Sequence, residues 1–287
     1  MARWRSIVAN SDKLAIEAQT QALRAARHWL ISVFAEPPFS GNAAMVYLLE
    51  QPALYTAMSA AARQNAASAS CFLWPGIGNA FHIRCFNDSG LIQCCGHGVL
   101  AAAYVLHHVV ERVISEPLQL YLSDKELLTV VEHSGKLWLR LPRLHAEASA
   151  IPDWTKMAFA PLPIRAAIAG GEQGYWVLEY SSDVHLADVM VDHEVICQNT
   201  QRAVIITQIN SGSRDNPHDF YLRYFAPQYG VDEDSVTGSA QRVLADYWGR
   251  KTGASRFTVL QCSTGGGVIS VELQSEHVAI NGHLRML

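Results

Sequence analysis

Side chains that can carry protons stand at two points where glycines precede a helix-like run of residues. These residues are Cys95, Gly96, His97 and Gly98 in "CCGHGVLAAAYVL", and Asp234, Thr237, Gly238 and Ser239 in "EDSVTGSA". A helix N-terminus offers unpaired N–H groups and a partial positive charge, and glycine there lets a carboxylate approach the backbone. Two such starts at one cleft would bind a small anion and stabilise negative charge developing on it. The pattern therefore indicates removal of a proton next to a carboxylate or carbonyl group.

Each candidate residue also has a purely structural interpretation. Cys95 at a helix start would have a stabilised thiolate that can act as a base, or it is a small buried hydrophobe. The second interpretation is the one we favour for its neighbour Cys94. His97 can move a proton near neutral pH, or it only hydrogen-bonds the helix end. Asp234 fits a catalytic acid or a capping aspartate, and these two interpretations are compatible. Glu233 is expected to be solvated.

A short strand-like motif occurs twice in the chain. "FHIRCF" at 81–86 and "FYLRYF" at 220–225 agree at two phenylalanines and an arginine. Each is followed by a turn-rich stretch and then by one of the two glycine-led helix starts. The repetition predicts two homologous halves related by a pseudo-twofold axis. The alternative is a chance similarity between two hydrophobic strands.

Strand-like segments outnumber helical ones along the rest of the chain. Besides the two copies of the motif they include "GKLWLRLP", "GYWVLEY", "RAVIITQI", "RFTVLQC", "GVISVEL" and "HVAING", and a helix is expected in "PALYTAMSAAARQNAA" with Pro52 at its start. This composition predicts an α+β fold with two pseudo-symmetric lobes rather than a doubly wound parallel sheet. The expected divisions are an N-terminal extension at 1–27, lobe 1 at 28–148, lobe 2 at 149–275, and a strand near 276–287 that returns to lobe 1. The stretch 145–169 is expected to cross between the lobes.

Composition excludes several classes of protein. Of the 287 residues, 49% are hydrophobic and 17% charged, so a large core is expected and wholesale disorder is not. A net charge of −4 gives no reason to expect nucleic acid or an anionic membrane as a partner. No apolar run approaches the roughly 18 residues that span a bilayer, and the first 27 residues lack the apolar core of a signal peptide.

The six cysteines are too sparse for a disulfide scaffold, and none has the spacing of a metal-binding motif. We therefore expect reduced thiols, a cytoplasmic protein and no metal site.

Three long motifs, in the same order, resemble those of the phenazine-biosynthesis isomerase-like (PhzF-like) family, relatives of diaminopimelate epimerase. They are "VFAEPPFSGNAAMV", "CCGHGVLAAAYVL" and "DFYLRYFAPQYGVDEDSVTGSAQ". The resemblance runs from about Trp29 to the C-terminus. It implies two lobes, each a barrel-like mixed sheet around a central helix, with the active site between them. It also implies proton-transfer chemistry on a small carboxylic acid without a cofactor, and a homodimer.

The resemblance also assigns roles to residues. His97 and Asp234 match positions that assist proton movement, and Cys95 falls where the epimerase relatives keep one catalytic cysteine. Their second cysteine would fall at Thr237, so a two-cysteine racemase mechanism is not expected. The positions implied for substrate binding are Asn42, Gly96, Gly98, Thr237, Gly238 and Ser239.

The chain departs from the family where it matters for the reaction. The family's proton-shuttling glutamate lies in an S-E-T-x-F pattern, and the matching "SASCF" has Ala69 at that position. Ser32 replaces an aspartate, Gly98-Val99 replaces an Ala-Thr pair, and "QCSTGGGVIS" lacks the late arginine. Two main hypotheses follow: an isomerase that uses Asp234 and His97, with or without Cys95, and a catalytically silent small-molecule-binding protein. A lyase or racemase centred on Cys95 is the third, and the substrate is not identified by the sequence.

Overall fold

The structure is a computed structural model that describes residues 14, 16–110, 117–123, 126–210, 212 and 217–287. The α-helices are α1 (16–25), α2 (Tyr55–Ala62), α3 (Gly96–Tyr104), α4 (Thr155–Ala158), α5 (His193–Asn199) and α6 (Gln241–Thr252). A π-helical turn, Val105–Val109, extends α3, and short 3₁₀ helices span Leu186–Asp188, Pro227–Tyr229 and Gly238–Ala240. Among the described residues, none of these helices combines the length and the hydropathy that crossing a bilayer requires.

Strands make up most of the regular structure, as the sequence predicts. They are β1 (Arg27–Val33), β2 (Asn42–Leu48), β3 (Ala69–Pro75), β4 (Phe81–Asn87), β5 (Gly90–Ile92), β6 (Leu118–Tyr121), β7 (Leu127–His133), β8 (Lys136–Pro142), β9 (Ala146–Ser149), β10 (Phe159–Ala160), β11 (Arg165–Ala169), β12 (Tyr175–Glu179), β13 (Met190–Val191), β14 (Ala203–Ile209), β15 (Phe220–Ala226), β16 (Val231–Asp234), β17 (Arg256–Gln261), β18 (Gly267–Leu273), β19 (His277–Asn281) and β20 (Leu284–Met286). The α+β class is confirmed.

The predicted internal repeat is visible in the strand pairing. In the first copy β3 is parallel to β2 and antiparallel to β4, and β4 is antiparallel to β5 and parallel to β6. The second copy repeats this pattern with β12, β14, β15, β16 and β17 in the same places. Even the register agrees, because Phe81 is paired with Leu120 and Phe220 with Val259, at the same sequence separation. Two short hydrophobic strands that match by chance would not share their neighbours and register.

Each copy of the repeat leads to a helix that is largely buried. Residues 96–103 of α3 are all buried, and so are most residues of α6. The side chains of Val99 and Leu100 have no exposed surface, nor do those of Val243 and Leu244. Full burial of one such side chain contributes about 1.5–3 kcal/mol to folding. The two glycine-led segments of the sequence are therefore the starts of core helices, as predicted.

The chain groups into two compact units whose limits differ from the expected lobes. Of the described residues, unit 1 contains those within 1–31, 43–130 and 286–287, and unit 2 contains those within 32–42 and 131–285. Unit 2 includes 131–148 because β8 pairs with β19 and β9 pairs with β11. The stretch 145–169, expected to cross between lobes, carries β9, α4 and β11 inside unit 2.

Helix α2 begins later than the sequence indicates. Proline 52 is well suited to a first helical turn, but the helix begins at Tyr55, and Leu54 at its N-cap position has extended dihedral angles. The backbone N–H of Leu54 donates to the side-chain oxygen of Gln19 at 2.8 Å. This tertiary bond from α1 satisfies one N–H at the helix start, which a local pattern does not reveal.

Candidate active site

The first group of candidate residues lies at the start of α3 in unit 1. Gly96 is the first residue of the helix, and Cys95 is its N-cap residue, whose side chain makes no capping bond. His97 is largely buried, with 8% of its surface exposed. The sequence predicts this placement because a glycine-flanked histidine precedes an uninterrupted apolar run.

The imidazole of His97 is hydrogen-bonded to Ser68, the residue immediately before β3. Its Nε2 lies 3.2 Å from Ser68 Oγ, and Ser68 Oγ donates to the carbonyl oxygen of Ala43 at 2.8 Å. Since the serine proton is used toward Ala43, Ser68 Oγ accepts from Nε2–H of the imidazole. In the neutral ring this leaves Nδ1 as the basic nitrogen. Ser68 thus selects the tautomer with which His97 can accept a proton at Nδ1.

Ala69 follows Ser68 at the beginning of β3 and has no exposed surface. Its methyl group cannot carry a proton, so the family's glutamate has no equivalent at this position. In unit 1 the acid/base groups beside the helix start are therefore His97 and Cys95.

Cys95 points toward two other thiols. Its Sγ and those of Cys71 and Cys85 all lie within 4.8 Å of one another, and all three residues are buried. Hydrogen bonds from Cys71 and Cys85, together with the charge of nearby His97, hold the pKa of Cys95 well below its ordinary value. Cys94, expected from the sequence to be a small buried hydrophobe, is only half-buried, whereas Cys95 is buried.

The same three sulfurs leave room only for glycine at position 98. A Cβ atom built on this residue would lie 2.5 Å from Cys71 Sγ, 2.7 Å from Cys95 Sγ and 3.2 Å from Cys85 Sγ. Any larger residue would collide with the thiols, so the packing of sulfur explains why glycine stands here.

The second group of candidate residues surrounds Asp234, the last residue of β16 in unit 2. Its Oδ1 accepts from Asn42 Nδ2 at 2.7 Å, and its Oδ2 accepts from Thr237 Oγ1 at 2.6 Å. Asn42 Nδ2 also donates to the carbonyl oxygen of Val236 at 2.9 Å. The carboxylate is held from both sides, with one side-chain donor to each oxygen. Asp234 does not act as the helix cap considered above, since Thr237 is the N-cap residue and no side chain caps that 3₁₀ helix.

Gln261 completes this group, and sequence reasoning missed it. Its Nε2 donates to the backbone oxygen of Asp234 at 2.6 Å, and its Oε1 accepts from the N–H of Thr237 at 2.7 Å. The residue is the last of β17 and is fully buried. The available signal was "QCSTGGG", which stands where the family has a late glutamine-glycine motif.

Glu233 corrects a second expectation. It is only partly exposed, and it forms a two-pronged ion pair with Arg223, Nε to Oε1 and a terminal nitrogen to Oε2, each at 2.8 Å. Arg223 is the arginine of the second strand motif, and it also donates to the carbonyl oxygen of Val189 at 2.7 Å. This pairing fixes β16 immediately before Asp234.

The 3₁₀ helix after Thr237 begins at Gly238 and runs directly into α6. Gly238 and Ser239 are buried, and so is Gln241, the first residue of α6. Both polar atoms of the Gln241 amide are buried, and neither has a hydrogen-bond partner among the described residues. An unsatisfied buried amide costs about 1–3 kcal/mol, so such a group at a candidate site calls for a polar partner.

The sequence-predicted residues therefore fall into two sets, each assembled within its own unit. The first contains Cys95, Gly96, His97 and Gly98, and the second contains Asn42, Asp234, Thr237, Gly238 and Ser239. Chemically, the first offers an oriented imidazole at a helix start, and the second offers an oriented carboxylate before another. Both are suited to moving a proton on an anionic molecule.

The chain is similar to known proteins over most of its length. The family described as phenazine biosynthesis-like protein matches residues 31–283. An uncharacterized isomerase of Pseudomonas aeruginosa is 32% identical over 253 residues, covering 88% of this chain and 93% of that protein. The crystal structure of a PhzF-family phenazine biosynthesis protein from Enterococcus faecalis superposes with a TM-score of 0.79 at 26% identity, covering 91% of this chain and 96% of that one.

A predicted epimerase of Pseudomonas aeruginosa superposes with a TM-score of 0.68 at 24% identity, covering 91% of this chain and 97% of that chain. At this identity the likeness concerns the fold alone. Together with the Enterococcus structure it confirms the predicted epimerase-type fold.

Proposed function

Because the chain belongs to the phenazine biosynthesis-like family, we propose that it is an isomerase that moves a proton on a small carboxylic acid without a cofactor. The observation that carries the proposal is the clamp on Asp234, in which Asn42 and Thr237 each donate to one carboxylate oxygen. A carboxylate oriented in this way is ready to take a proton from a fixed direction.

Asp234 is the proposed general base, since Ala69 removes the family's usual one. His97 is the proposed second proton carrier, with Ser68 selecting its tautomer. Cys95 is proposed to have a supporting role in proton transfer rather than to be the base, because its sulfur packs against those of Cys71 and Cys85 at the start of α3. That Asp234 and His97 act on one substrate, between the lobes, stays a prediction from the sequence.

The substrate's carboxylate is proposed to bind at the glycine-led helix starts, where backbone N–H groups and a partial positive charge favour an anion. Gly96, Gly238 and Ser239 provide close backbone approach there. The buried Gln241 amide supports a polar ligand at the second start. A homodimer and a cytoplasmic location are proposed on the sequence resemblance.

Incorporation of solvent deuterium into a panel of small carboxylic acids tests the proposal directly. The native protein is expected to exchange a carbon-bound proton of at least one acid, and Asp234→Asn should slow that exchange about 10²–10⁴-fold. Asp232→Asn, which changes an exposed carboxylate of the same strand, should leave the rate unchanged. Exchange that survives Asp234→Asn would exclude Asp234 as the base.

The second candidate function is a catalytically silent binding protein, and the buried alanine at position 69 favours it. Such a protein would bind carboxylic acids in calorimetry and exchange none of their protons. Binding without exchange across the whole panel would therefore replace the isomerase proposal, and binding with exchange would exclude the silent protein.

A further inference from the structure

The proposed isomerase chemistry gives Cys71 and Cys85 no role of their own and Cys95 only a supporting one. We infer that Cys71, Cys85 and Cys95, called the thiol cluster below, form a three-coordinate binding site for the soft monovalent cation Cu(I). The three residues come from β3, β4 and the N-cap of α3, all in unit 1. Their exposed fractions are 0%, 4% and 2%, so the site is shielded from competing ligands.

The sulfur positions fit such a site. A metal–sulfur bond of about 2.3 Å places the sulfurs of a three-coordinate site about 4 Å apart. All three Sγ atoms lie within 4.8 Å of one another. The Cys71 and Cys85 sulfurs, 3.1 Å apart on directly paired residues of β3 and β4, would have to separate by about 1 Å.

The donor set selects the metal. Thiolates favour Cu(I), Zn²⁺ and iron–sulfur clusters, but structural zinc takes four ligands and the common iron–sulfur clusters take four cysteines. In the part of the chain that the structure describes, only three Cys, His, Asp or Glu ligand atoms meet at this point. The ring nitrogens of His97 lie 3.9 Å from Cys95 Sγ, but His97 does not come within 4.8 Å of all three sulfurs and is therefore no fourth ligand in this arrangement. Three soft donors therefore point to Cu(I).

Two features of unit 1 support binding of a cation by thiolates of the thiol cluster. The thiol cluster lies at the start of the nine-residue helix α3, whose partial positive charge offsets the excess negative charge of several thiolates around one cation. Gly98 places no side-chain atom against the sulfurs, whereas a Cβ there would approach all three to between 2.5 and 3.2 Å. Each thiol that binds as thiolate gives up a proton, so binding must release protons.

Local sequence spacing could not reveal this site. No two of the three cysteines stand in a short metal-binding pattern; strand pairing brings Cys71 beside Cys85, and the start of α3 adds Cys95. The inference therefore revises the expectation that the chain holds no metal.

The test uses the reduced, metal-free full-length protein under anaerobic conditions, titrated with Cu(I) in the presence of the chromophoric chelator bicinchoninate. We expect one Cu(I) per chain, an ultraviolet sulfur-to-copper charge-transfer band, and proton release in weakly buffered solution. Cys85→Ser should weaken binding by about 100-fold or more. Cys197→Ser, which removes an exposed thiol outside the thiol cluster, should leave the affinity unchanged.

Gly98→Ala tests the geometry of the thiol cluster at constant cysteine content. The variant keeps all six cysteines but places a methyl group against the three sulfurs. It should abolish Cu(I) binding, while Gly171→Ala, where a Cβ meets nothing within 4 Å, should not.

X-ray absorption of the native protein loaded with Cu(I) measures the number and distance of the copper ligands directly. Three sulfur neighbours at about 2.2–2.3 Å are expected. Failure to compete with the chelator, affinity unchanged by Cys85→Ser, or two sulfur neighbours would each overturn the inference.

Discussion

Asn42 Nδ2 donates to Asp234 Oδ1 at 2.7 Å across a separation of 192 residues. The same nitrogen donates to the carbonyl oxygen of Val236 at 2.9 Å, so the amide also fixes the segment after β16. Asn42 is therefore a positioning residue for the proposed base. In the opening motif of the family it is the asparagine that follows glycine, and the structure shows what that asparagine holds.

Asn42→Ala should reduce proton exchange about 100-fold, because the Asp234 carboxylate loses one of its two orienting donors. The loss should appear in kcat more than in KM, since Asn42 acts through Asp234. Steady-state exchange kinetics measure both constants. Asn199→Ala removes an exposed asparagine that bonds only within α5 and serves as the control. An effect confined to KM would indicate that Asn42 contacts substrate instead.

Ser68→Ala should disturb the tautomer of His97. The hydrogen bond between Nε2 and Ser68 Oγ is lost, so the neutral ring no longer favours a proton on Nε2. Nitrogen-15 NMR of the histidine side chains should show the Nε2–H tautomer of His97 in the native protein and a mixture in the variant. Proton exchange should fall about tenfold or more with it. A native His97 protonated on Nδ1 would contradict the arrangement.

Gly238→Val should abolish carboxylate binding while most of the fold persists. Gly238 is buried at the 3₁₀ helix start, where a branched side chain would cover the N–H groups offered to an anion. Calorimetry with an acid bound by the native protein measures the loss, and circular dichroism monitors the fold. Gly171→Ala, in open space, is the control. Unchanged affinity would place the carboxylate elsewhere.

Asp246 should make stability depend on pH. Burial raises the pKa of this carboxyl, but hydrogen bonds from Arg143 and the Ala146 N–H, with the charge of Arg250, outweigh burial and hold the pKa below its ordinary value. A lowered folded-state pKa contributes stability that is present above the unfolded-state value, near 3.9, and is lost as the pH falls through the folded-state value. Stability should therefore drop as the solution is acidified below about pH 4.

Asp246→Asn should lower the free energy of unfolding by about 3 kcal/mol at neutral pH, because the carboxylate has no exposed side-chain surface and its arginine partners lose their counter-charge. It should also flatten the acid dependence. Denaturant unfolding at several pH values measures both effects. Asp153→Asn, which breaks an exposed pair with Lys156, should change little. An Asp246→Asn variant with native stability at neutral pH would show that the ion pairs contribute nothing.

Local patterns in the sequence were sufficient for the elements of the fold. The strands β8, β12, β14, β17, β18 and β19 lie where alternating or apolar runs predict them, because side-chain direction alternates within a strand regardless of its partners. The helix starts at Gly96 and Gly238 follow from glycine before an apolar run. The repeated motif predicted the duplicated strand order, which the shared register of Phe81 and Phe220 confirms.

Tertiary structure alone decided which side chains meet. Strand pairing brings Cys71 and Cys85 together, and the start of α3 places Cys95 beside them. The end of β17 brings Gln261 to Asp234 and Thr237. The ion pair of Glu233 with Arg223 and the limits of unit 2 have the same origin. Hydrophobic periodicity fixes which face of an element is buried, but partners that are distant in the sequence are set by sheet register and packing, which no local spacing encodes.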